Sequence, residues 1–242
     1  MKRILLSVAA AAMMATAASA FNFELDLNYQ AILKNSFTIE KIDNYAIPKS
    51  LQSKIAYSSP FGIDANCNFY FGSPWIMDIG LNVGGGFELF TDVTANGNSI
   101  RKTIITPLKD AGVAVNAIGF GGFAKLGPAF RFNLHKMHSL SFSPAFFFGY
   151  DSYDVTYEGT TAFRIEAAAL GIDFDVGYRL WLVNRERFSF GLDIGLDFTV
   201  PVYIATYSRA AGEGGVDGEA GHAFGTKLYI GVCLNSGKRA YR

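Results

Sequence analysis

Twelve charged residues recur at alternate positions in segments whose remaining positions are apolar. Side chains two positions apart share one face of a β-strand, so these charges would meet charges on neighbouring strands. Charges enclosed in a narrow space must be paired or hydrated, and we therefore predict a structural network of ion pairs and water. The twelve residues are Glu24, Asp26, Asp64, Asp78, Lys125, Arg131, Asp173, Asp175, Arg179, Asp193, Asp197 and Lys227.

Asp175 and Asp193 suggest an alternative to a purely structural network, namely a pair of carboxylates that could do chemistry. If Leu180 faces Phe188 across the turn that follows it, the two aspartates are directly opposite each other on the same face. Two carboxylates that close cannot both ionise cheaply, and such pairs can transfer protons or bind a cation. Access for a substrate to the middle of a small packed barrel is poor, so we predict a structural role for this pair.

Other chemistry-bearing residues give weaker patterns. His135 and His138 have a spacing that could hold a metal, but no third ligand lies near them, and we predict two exposed turn residues. Cys67 and Cys233 fall on opposite faces of their strands, which disfavours a disulfide. Neither a nucleophile elbow nor a phosphate loop occurs in the sequence. We therefore predict no catalytic residue, no metal and no cofactor.

The segment 164–203 gives the clearest evidence that the predicted charges lie on β-strands. It consists of two alternating runs around a turn at 183–186. In each run one face is continuously apolar and the other is rich in Gly and Asp. This pattern favours strands with lipid on the apolar side and a polar lumen on the other. The aromatic residues near the short turns predict a girdle at the membrane surface, made of Trp75, Tyr178, Trp181 and Phe188.

The composition agrees with a membrane barrel that is exported. Residues 1–20 read as a signal peptide, with a basic start, an apolar stretch and Ala18-Ser19-Ala20 before the cleavage point. Hydrophobic residues make up 50% of the chain, yet no later segment offers a continuous helical span. Without Lys2 and Arg3, 19 basic residues face 21 acidic ones, and this balance argues against nucleic acid as a partner.

Eight alternating segments follow the signal peptide, and their connections alternate in length. Short connections at 72–74, 135–138 and 182–187 alternate with long ones at 34–61, 91–115, 151–162 and 204–221. We predict an all-β, closed antiparallel transmembrane β-barrel, an up-and-down meander of eight strands with ten as the alternative. The barrel would cover 21–235 and leave 236–242 as a short periplasmic tail. The predicted strands are 21–29, 63–71, 75–88, 119–134, 139–150, 168–180, 188–200 and 224–234.

Pro128 and Pro144 interrupt the fourth and fifth predicted strands. Proline removes a hydrogen bond from a sheet ladder. If these strands pair about the midpoint Lys136–Met137, Pro128 lies opposite Ala145, beside Pro144. We therefore predict one local bulge at this position.

With its signal peptide, eight alternating segments and unequal loops, the chain resembles the small eight-stranded outer-membrane proteins. This broad class includes the membrane domain of OmpA, OmpX and OmpW, and the likeness covers Phe21 to about Asn235. The resemblance implies the outer membrane of a diderm bacterium with both termini periplasmic. It also implies outer-membrane lipid and the barrel assembly machinery as partners, with a possible extracellular ligand at the loops.

Three functions stay open on the sequence. The first is a non-enzymatic barrel with an envelope-structural or surface-interaction, adhesin-like role for its exposed loops. The second is a narrow, porin-like channel or carrier for small or hydrophobic solutes. The third is a membrane-embedded hydrolase or acyltransferase, for which the three histidines are poorly placed.

Overall fold

The computed structural model describes residues 21–43, 45–71, 77–185, 188–211 and 214–236. The predicted signal peptide, the predicted turn at 72–74, Trp75 and residues 237–242 of the predicted tail lie outside these residues. Among the described residues, no helix has both the length and the apolarity needed to cross a membrane. The elements are β1 (Phe21–Ile42), β2 (Tyr45–Ala46), β3 (Ser53–Phe71), β4 (Met77–Phe90), β5 (Val93–Ala95), β6 (Asn98–Ser99), a π-helical turn (Arg101–Ile105), α1 (Thr106–Asp110), β7 (Val115–His135), β8 (His138–Tyr157), β9 (Thr160–Arg185), β10 (Phe188–Ala210) and β11 (Val216–Ser236).

Eight long strands form a ring in which each strand pairs antiparallel with two others. The order is β1, β11, β10, β9, β8, β7, β4 and β3, and the pairing of β3 with β1 joins the two ends. The short strands β2, β5 and β6 lie at one end, where they pair with β1, β3 and each other. The all-β antiparallel prediction is confirmed.

The outer face of the ring is apolar along much of its length, while the inner face is polar. Leu170, Leu192 and Ile194, which a water-soluble globule would bury, are all exposed. Asp173 and Asp193, which lie close to them in sequence, are buried inside the ring. The predicted inversion of apolar and polar faces is therefore confirmed, and it is the arrangement expected of strands with lipid outside.

The strands are longer than predicted, and three of the four predicted long loops are largely strand. The connections that remain among the described parts are 43–52, 91–114, 158–159 and 211–215. We call the end of the ring that carries them the head, and the opposite end, with the turn 136–137, the base. The prediction of long loops at 34–61, 151–162 and 204–221 was wrong, because polar residues in these segments alternate on a sheet that continues beyond the apolar band.

Two tight turns in the head use residues with positive φ. Asn96 and Gly97 join β5 to β6 with φ values of 51° and 84°. Glu158 and Gly159 join β8 to β9 with φ values of 48° and 79°. Two central residues with positive φ match the twist of the flanking strands, which explains how these hairpins close in two residues.

The inner face of the head is apolar, opposite to the polar inner face near the base. A buried cluster fills it with side chains from both long and short strands and from the π-helical turn. Ile105 and Val93 bring the segment 91–114 into this cluster, so the segment packs into the open end of the ring. The cluster contains Ile32, Phe37, Ile55, Tyr57, Phe90, Val93, Ile105, Val115, Ala117, Tyr153, Val155, Ala167 and Ile204.

Pro128 and Pro144 sit at an interruption of the ladder between β7 and β8. The pairing stops after Leu126–Phe146 and resumes at Phe130–Phe142, a register that places Pro128 opposite Pro144. The prediction of Ala145 as its partner was off by one residue, because a register shift between Asn133 and His135 displaces the hairpin midpoint.

Candidate functional site

The structure places all twelve sequence-predicted charged residues inside the ring, each almost completely buried. They are held there by strand alternation, since each follows or precedes a residue that points outward. They divide by position into a group near the base, a group in the middle of the lumen, and Lys227 beneath the head.

Two arginines organise the group nearest the base. Arg131 contacts Glu24 at 2.6 Å and Asp78 at 2.8 Å. Arg179 contacts Glu24 and Asp26, each at 2.7 Å. The Arg131 guanidinium also lies 4.2 Å from the centroid of the Tyr70 ring, a cation–π contact. Together these side chains fill the lumen near the base.

Lys125 organises the middle group. Its Nζ lies 3.1 Å from Asp173 and Asp197 and 3.3 Å from Asp175. Thr199 donates to Asp173 from the neighbouring strand. One ammonium group thus contacts three carboxylates from β9 and β10, and charge-assisted hydrogen bonds of this kind are strong. The three carboxylates outnumber the one cation.

The predicted opposition of Asp175 and Asp193 is wrong. Asp175 pairs with Asp197 across the hairpin, and Asp193 pairs with Arg179. The reason is that β9 continues to Arg185 and β10 begins at Phe188, so the connection is shorter than the predicted turn. A shift between Phe190 and Gly191 then moves the register back by one residue, which leaves the pairing displaced by four residues from the predicted one.

A small cavity lies where the polar lumen meets the apolar head. Its polar side carries Lys227, whose Nζ lies 3.0 Å from Glu88 and 3.8 Å from the centroid of the Phe123 ring. Tyr57 donates to Asp151 at 2.7 Å and accepts from Asn35 at 2.6 Å. The apolar side is formed by Phe37, Phe123, Phe147, Ala167, Ile204, Ala223 and Phe224. With a volume of about 40 Å³, the cavity has room for a few water molecules or a very small solute.

The ring wall beside this cavity is interrupted. Pairing between β10 and β11 stops after Thr199–Gly225 and resumes at Ile204–Ala220. Pro201 has no amide hydrogen to donate, and Val202 bulges out of the strand with 78% of its surface exposed. Pro201 and Ala223 also line the cavity, so the interruption lies next to it.

The head closes the cavity from above with stacked aromatic rings. Tyr57 stacks on Phe90 with 4.1 Å between ring centroids, and Phe90 lies 6.2 Å from Tyr153. Burial, with a smaller effect from Asp92, raises the pKa of Tyr153 to about 12. Its phenol therefore stays neutral in the head at ordinary pH.

The outer rim of the head carries exposed ion pairs above the apolar band. Arg164 contacts Asp154 at 2.5 Å, and Tyr150 donates to Glu166 at 2.6 Å. The hydrogen bond from Arg164 to Asp154 raises the pKa of Arg164. Lys41, which is exposed, donates to Glu219, and this bond raises the pKa of Lys41.

The predicted aromatic girdle needs one correction. Tyr178 and Phe188 are on the outer face and exposed, but Trp181 is inside the ring, with 1% of its surface exposed. Its indole Nε1 donates to Ser139 at 2.8 Å. Trp181 points inward, as Arg179 does, because the two residues are two positions apart in β9. The alternation of the sequence already indicated this orientation.

Residues proposed for other chemistry are scattered. His138 Nδ1 lies 2.6 Å from the Tyr178 hydroxyl, and the ring of His135 is 5.7 Å from that of His138. His222 is exposed at the head, 3.7 Å from Glu40. In the described parts of the chain, no group of three or more His, Cys, Asp or Glu residues is arranged to hold a metal ion.

The ring is similar in fold to solved outer-membrane proteins. A major outer membrane protein from Thermus thermophilus is 11% identical, with a TM-score of 0.52, and the match covers 89% of this chain and 99% of that one. The outer membrane protease OmpT from Escherichia coli is 6% identical, with a TM-score of 0.53 and coverage of 91% and 97%. No family model and no curated protein matches the chain. The fold is that of the outer-membrane β-barrel class.

Sequence reasoning did not select two acidic residues that belong to the cavity. Glu88 faces inward, as Gly84 and Gly86 do, but it is not among the twelve charged residues predicted for the lumen. Asp151 was assigned to a loop, although its position continues the inward series of Ala145 and Gly149. Extending the alternation beyond the apolar band would have found Asp151, whereas Glu88 already lay on the inward face of the predicted strand 75–88.

Proposed function

We propose that this protein is a non-enzymatic, eight-stranded closed barrel of the outer membrane whose rigid head makes contacts outside the cell. The apolar band would lie in lipid, the base and both termini in the periplasm, and the head outside. The filled base supports a role other than a general pore, because Arg131 and Arg179 occupy the lumen there with their carboxylate partners.

The observation that carries this proposal is the apolar tip of the head. Tyr45 and Leu51 expose 80% and 70% of their surfaces, and Ile42 beside them is also exposed. Tyr45 and Leu51 belong to the β1–β3 connection and Ile42 ends β1, so all three lie beyond the part of the ring that bears the apolar band. Exposed apolar groups away from lipid favour contact with another macromolecule.

A cell-surface experiment tests the proposal. Cells that display the protein would be compared with cells that display the triple variant Ile42→Ser, Tyr45→Ser, Leu51→Ser for adhesion and cell–cell aggregation. We expect adhesion of the variant to fall to the level of cells without the protein. Tyr157→Ser, which removes another exposed aromatic of the head, is the matched control. Equal adhesion of the triple variant and the wild type, with both folded by heat-modifiable migration, would refute the role of the tip.

A second candidate function is a carrier for small hydrophobic solutes, supported by the cavity and the adjacent gap between β10 and β11. The purified protein would be titrated with xenon, the smallest convenient apolar probe, and followed by NMR, and Ala223→Phe would fill the cavity. Saturable binding that this variant loses supports the carrier. Conductance in planar bilayers would instead support an open channel, and absence of both would remove this candidate.

Support for a non-enzymatic role comes from the positions of the histidines. His135 and His138 are at the base and His222 is at the head, far from the buried aspartates of the middle group. Asp175→Asn and Asp193→Asn should change stability without abolishing a reaction. Loss of a hydrolase or acyltransferase activity in either variant would contradict this proposal.

A further inference from the structure

Two arginines lie directly opposite each other on the outer face of the head. Arg164 of β9 and Arg209 of β10 are partners in the ladder between these strands. Phe163, next to Arg164, packs against the core of the head, so Arg164 and its partner point outward. Side chains opposite each other in an antiparallel pair lie close together, and like charges there repel. An anionic group between the two guanidinium groups would remove this repulsion.

The carboxylates nearby satisfy only part of this arginine pair. Asp154 accepts from Arg164 Nε at 2.5 Å and from Nη2 at 3.0 Å. The third nitrogen, Nη1, lies 3.7 Å from Glu166 Oε1, which is beyond hydrogen-bond distance. Arg209 is exposed and forms no ion pair with any residue that the structure describes. Nη1 of Arg164 and the whole guanidinium of Arg209 can therefore donate to a phosphate, sulfate or carboxylate in charge-assisted hydrogen bonds.

An open groove of about 460 Å³ lies beside the two arginines, within the size range of small-molecule sites. Its polar lining is formed by Thr160, Thr161, Arg164, Glu166, Tyr207 and Arg209. Glu166 contacts both Tyr150 and Arg164 through Oε1, which leaves Oε2 able to accept from a ligand hydroxyl. The groove thus offers donors for an anionic group and an acceptor for a hydroxyl, and the threonine hydroxyls can act as either.

Tyr207 gives the groove an aromatic surface. Its hydroxyl end lies over Gly215, where the Cβ atom of any other residue would overlap it. The glycine therefore leaves room for the ring to pack against the backbone of the connection 211–215. The face of an aromatic ring is electronegative and attracts the C–H groups that a sugar ring presents. Tyr207 is thus placed to pack against a sugar ring beside the arginine pair.

We propose that this groove binds an acidic saccharide, with its anionic group between Arg164 and Arg209 and a sugar ring on Tyr207. The inference rests on the proposed function, which places the head outside the cell, and it names one class of ligand there. Arg164 lies six residues from Leu170 of the apolar band, about 20 Å along the strand, which places the groove beyond the acyl chains. Both β9 and β10 pair on two sides, so they offer no free edge to an acidic peptide.

Titration calorimetry of the full chain in lipid vesicles tests the site, with dextran sulfate as the probe and uncharged dextran beside it. We expect saturable binding of dextran sulfate and none of dextran. Arg209→Gln removes the unpaired cation and Tyr207→Ala removes the ring without changing charge, and each should weaken binding about tenfold. Lys102→Gln is the matched control, because it removes an exposed cation from another part of the head and should leave binding unchanged.

Three results would overturn the proposal. They are a wild-type chain that does not bind dextran sulfate, an equal loss in Lys102→Gln and Arg209→Gln, and equally tight binding of poly-L-glutamate, which would indicate an acidic protein as the partner. Vesicles that also contain lipopolysaccharide identify the source of the saccharide. Weaker binding of dextran sulfate there would support a ligand from the same membrane, and unchanged binding would support one from another surface. Failure of this test would leave adhesion through Ile42, Tyr45 and Leu51 untouched, since the variants alter none of these residues.

Discussion

The apolar face of strand β8 is its outer face near the base and its inner face at the head. Near the base, Leu140, Phe142 and Phe148 face outward while small polar residues face the lumen. At the head, the same strand turns Tyr153 and Val155 inward, where they join the apolar core. The backbone alternation is continuous, so the difference reflects the surroundings: lipid outside the lower part and water outside the head. One ring therefore combines a membrane pattern and a water-soluble pattern along its axis.

The largest expected effect comes from breaking the polar filling of the base. Arg131→Met leaves Glu24 and Asp78 buried without that cation and should destabilise the folded protein by about 3–5 kcal/mol. Urea unfolding in lipid vesicles, followed by heat-modifiable migration, measures this effect. A loss below about 1 kcal/mol would mean that the ion pairs contribute little to the lower part.

The corresponding change in the head removes apolar filling. Phe90→Ala deletes a ring stacked between Tyr57 and Tyr153 and should cost about 3 kcal/mol. Because the head has its own core, we expect hydrogen exchange to accelerate in the head while β-strand amides near the base stay protected. Uniform acceleration along the strands would show instead that the two regions unfold together.

A charge placed on the outer face separates the two regions most directly. Phe146, with 78% of its surface exposed in the apolar band, should tolerate arginine poorly, at a cost of about 2–3 kcal/mol. Thr156→Arg on the same strand at the head should change stability by less than about 0.5 kcal/mol. Equal costs in vesicle-based unfolding would contradict the placement of lipid around the lower part alone.

The smallest expected effect concerns Trp181. Trp181→Phe removes the hydrogen bond to Ser139 and should cost about 1 kcal/mol. In a Trp75→Phe background, Trp181 is the remaining tryptophan of the chain, and brominated lipids should quench its fluorescence weakly. Strong quenching would place the indole in lipid and restore it to the girdle.

Much of the fold was predictable because alternation is a local property. The faces of Leu192 and Asp193 follow from their positions, and so does the inward side of Trp181 once the strand is continued. The head was missed because its inner face is apolar and its outer face polar, so segments such as 53–61 lack the membrane pattern and read as loops. The candidate cavity was missed for the same reason, since Asp151, Tyr57 and Phe37 belong to these extensions.

For the lower part of the ring, the sequence by itself determined which side chains share a face, which face meets lipid and which segments form strands, because a side-chain period of two is set by each strand's own backbone. The tertiary structure alone decided which inward residues meet: Asp175 with Asp197, Asp193 with Arg179, and Ser141, Asp193 and Tyr229 around Gly177. Those meetings depend on hairpin lengths, register shifts and the curvature of the ring. A register change of an even number of residues moves every partner along the lumen and keeps each face, whereas a change of one residue would turn each side chain to the other face.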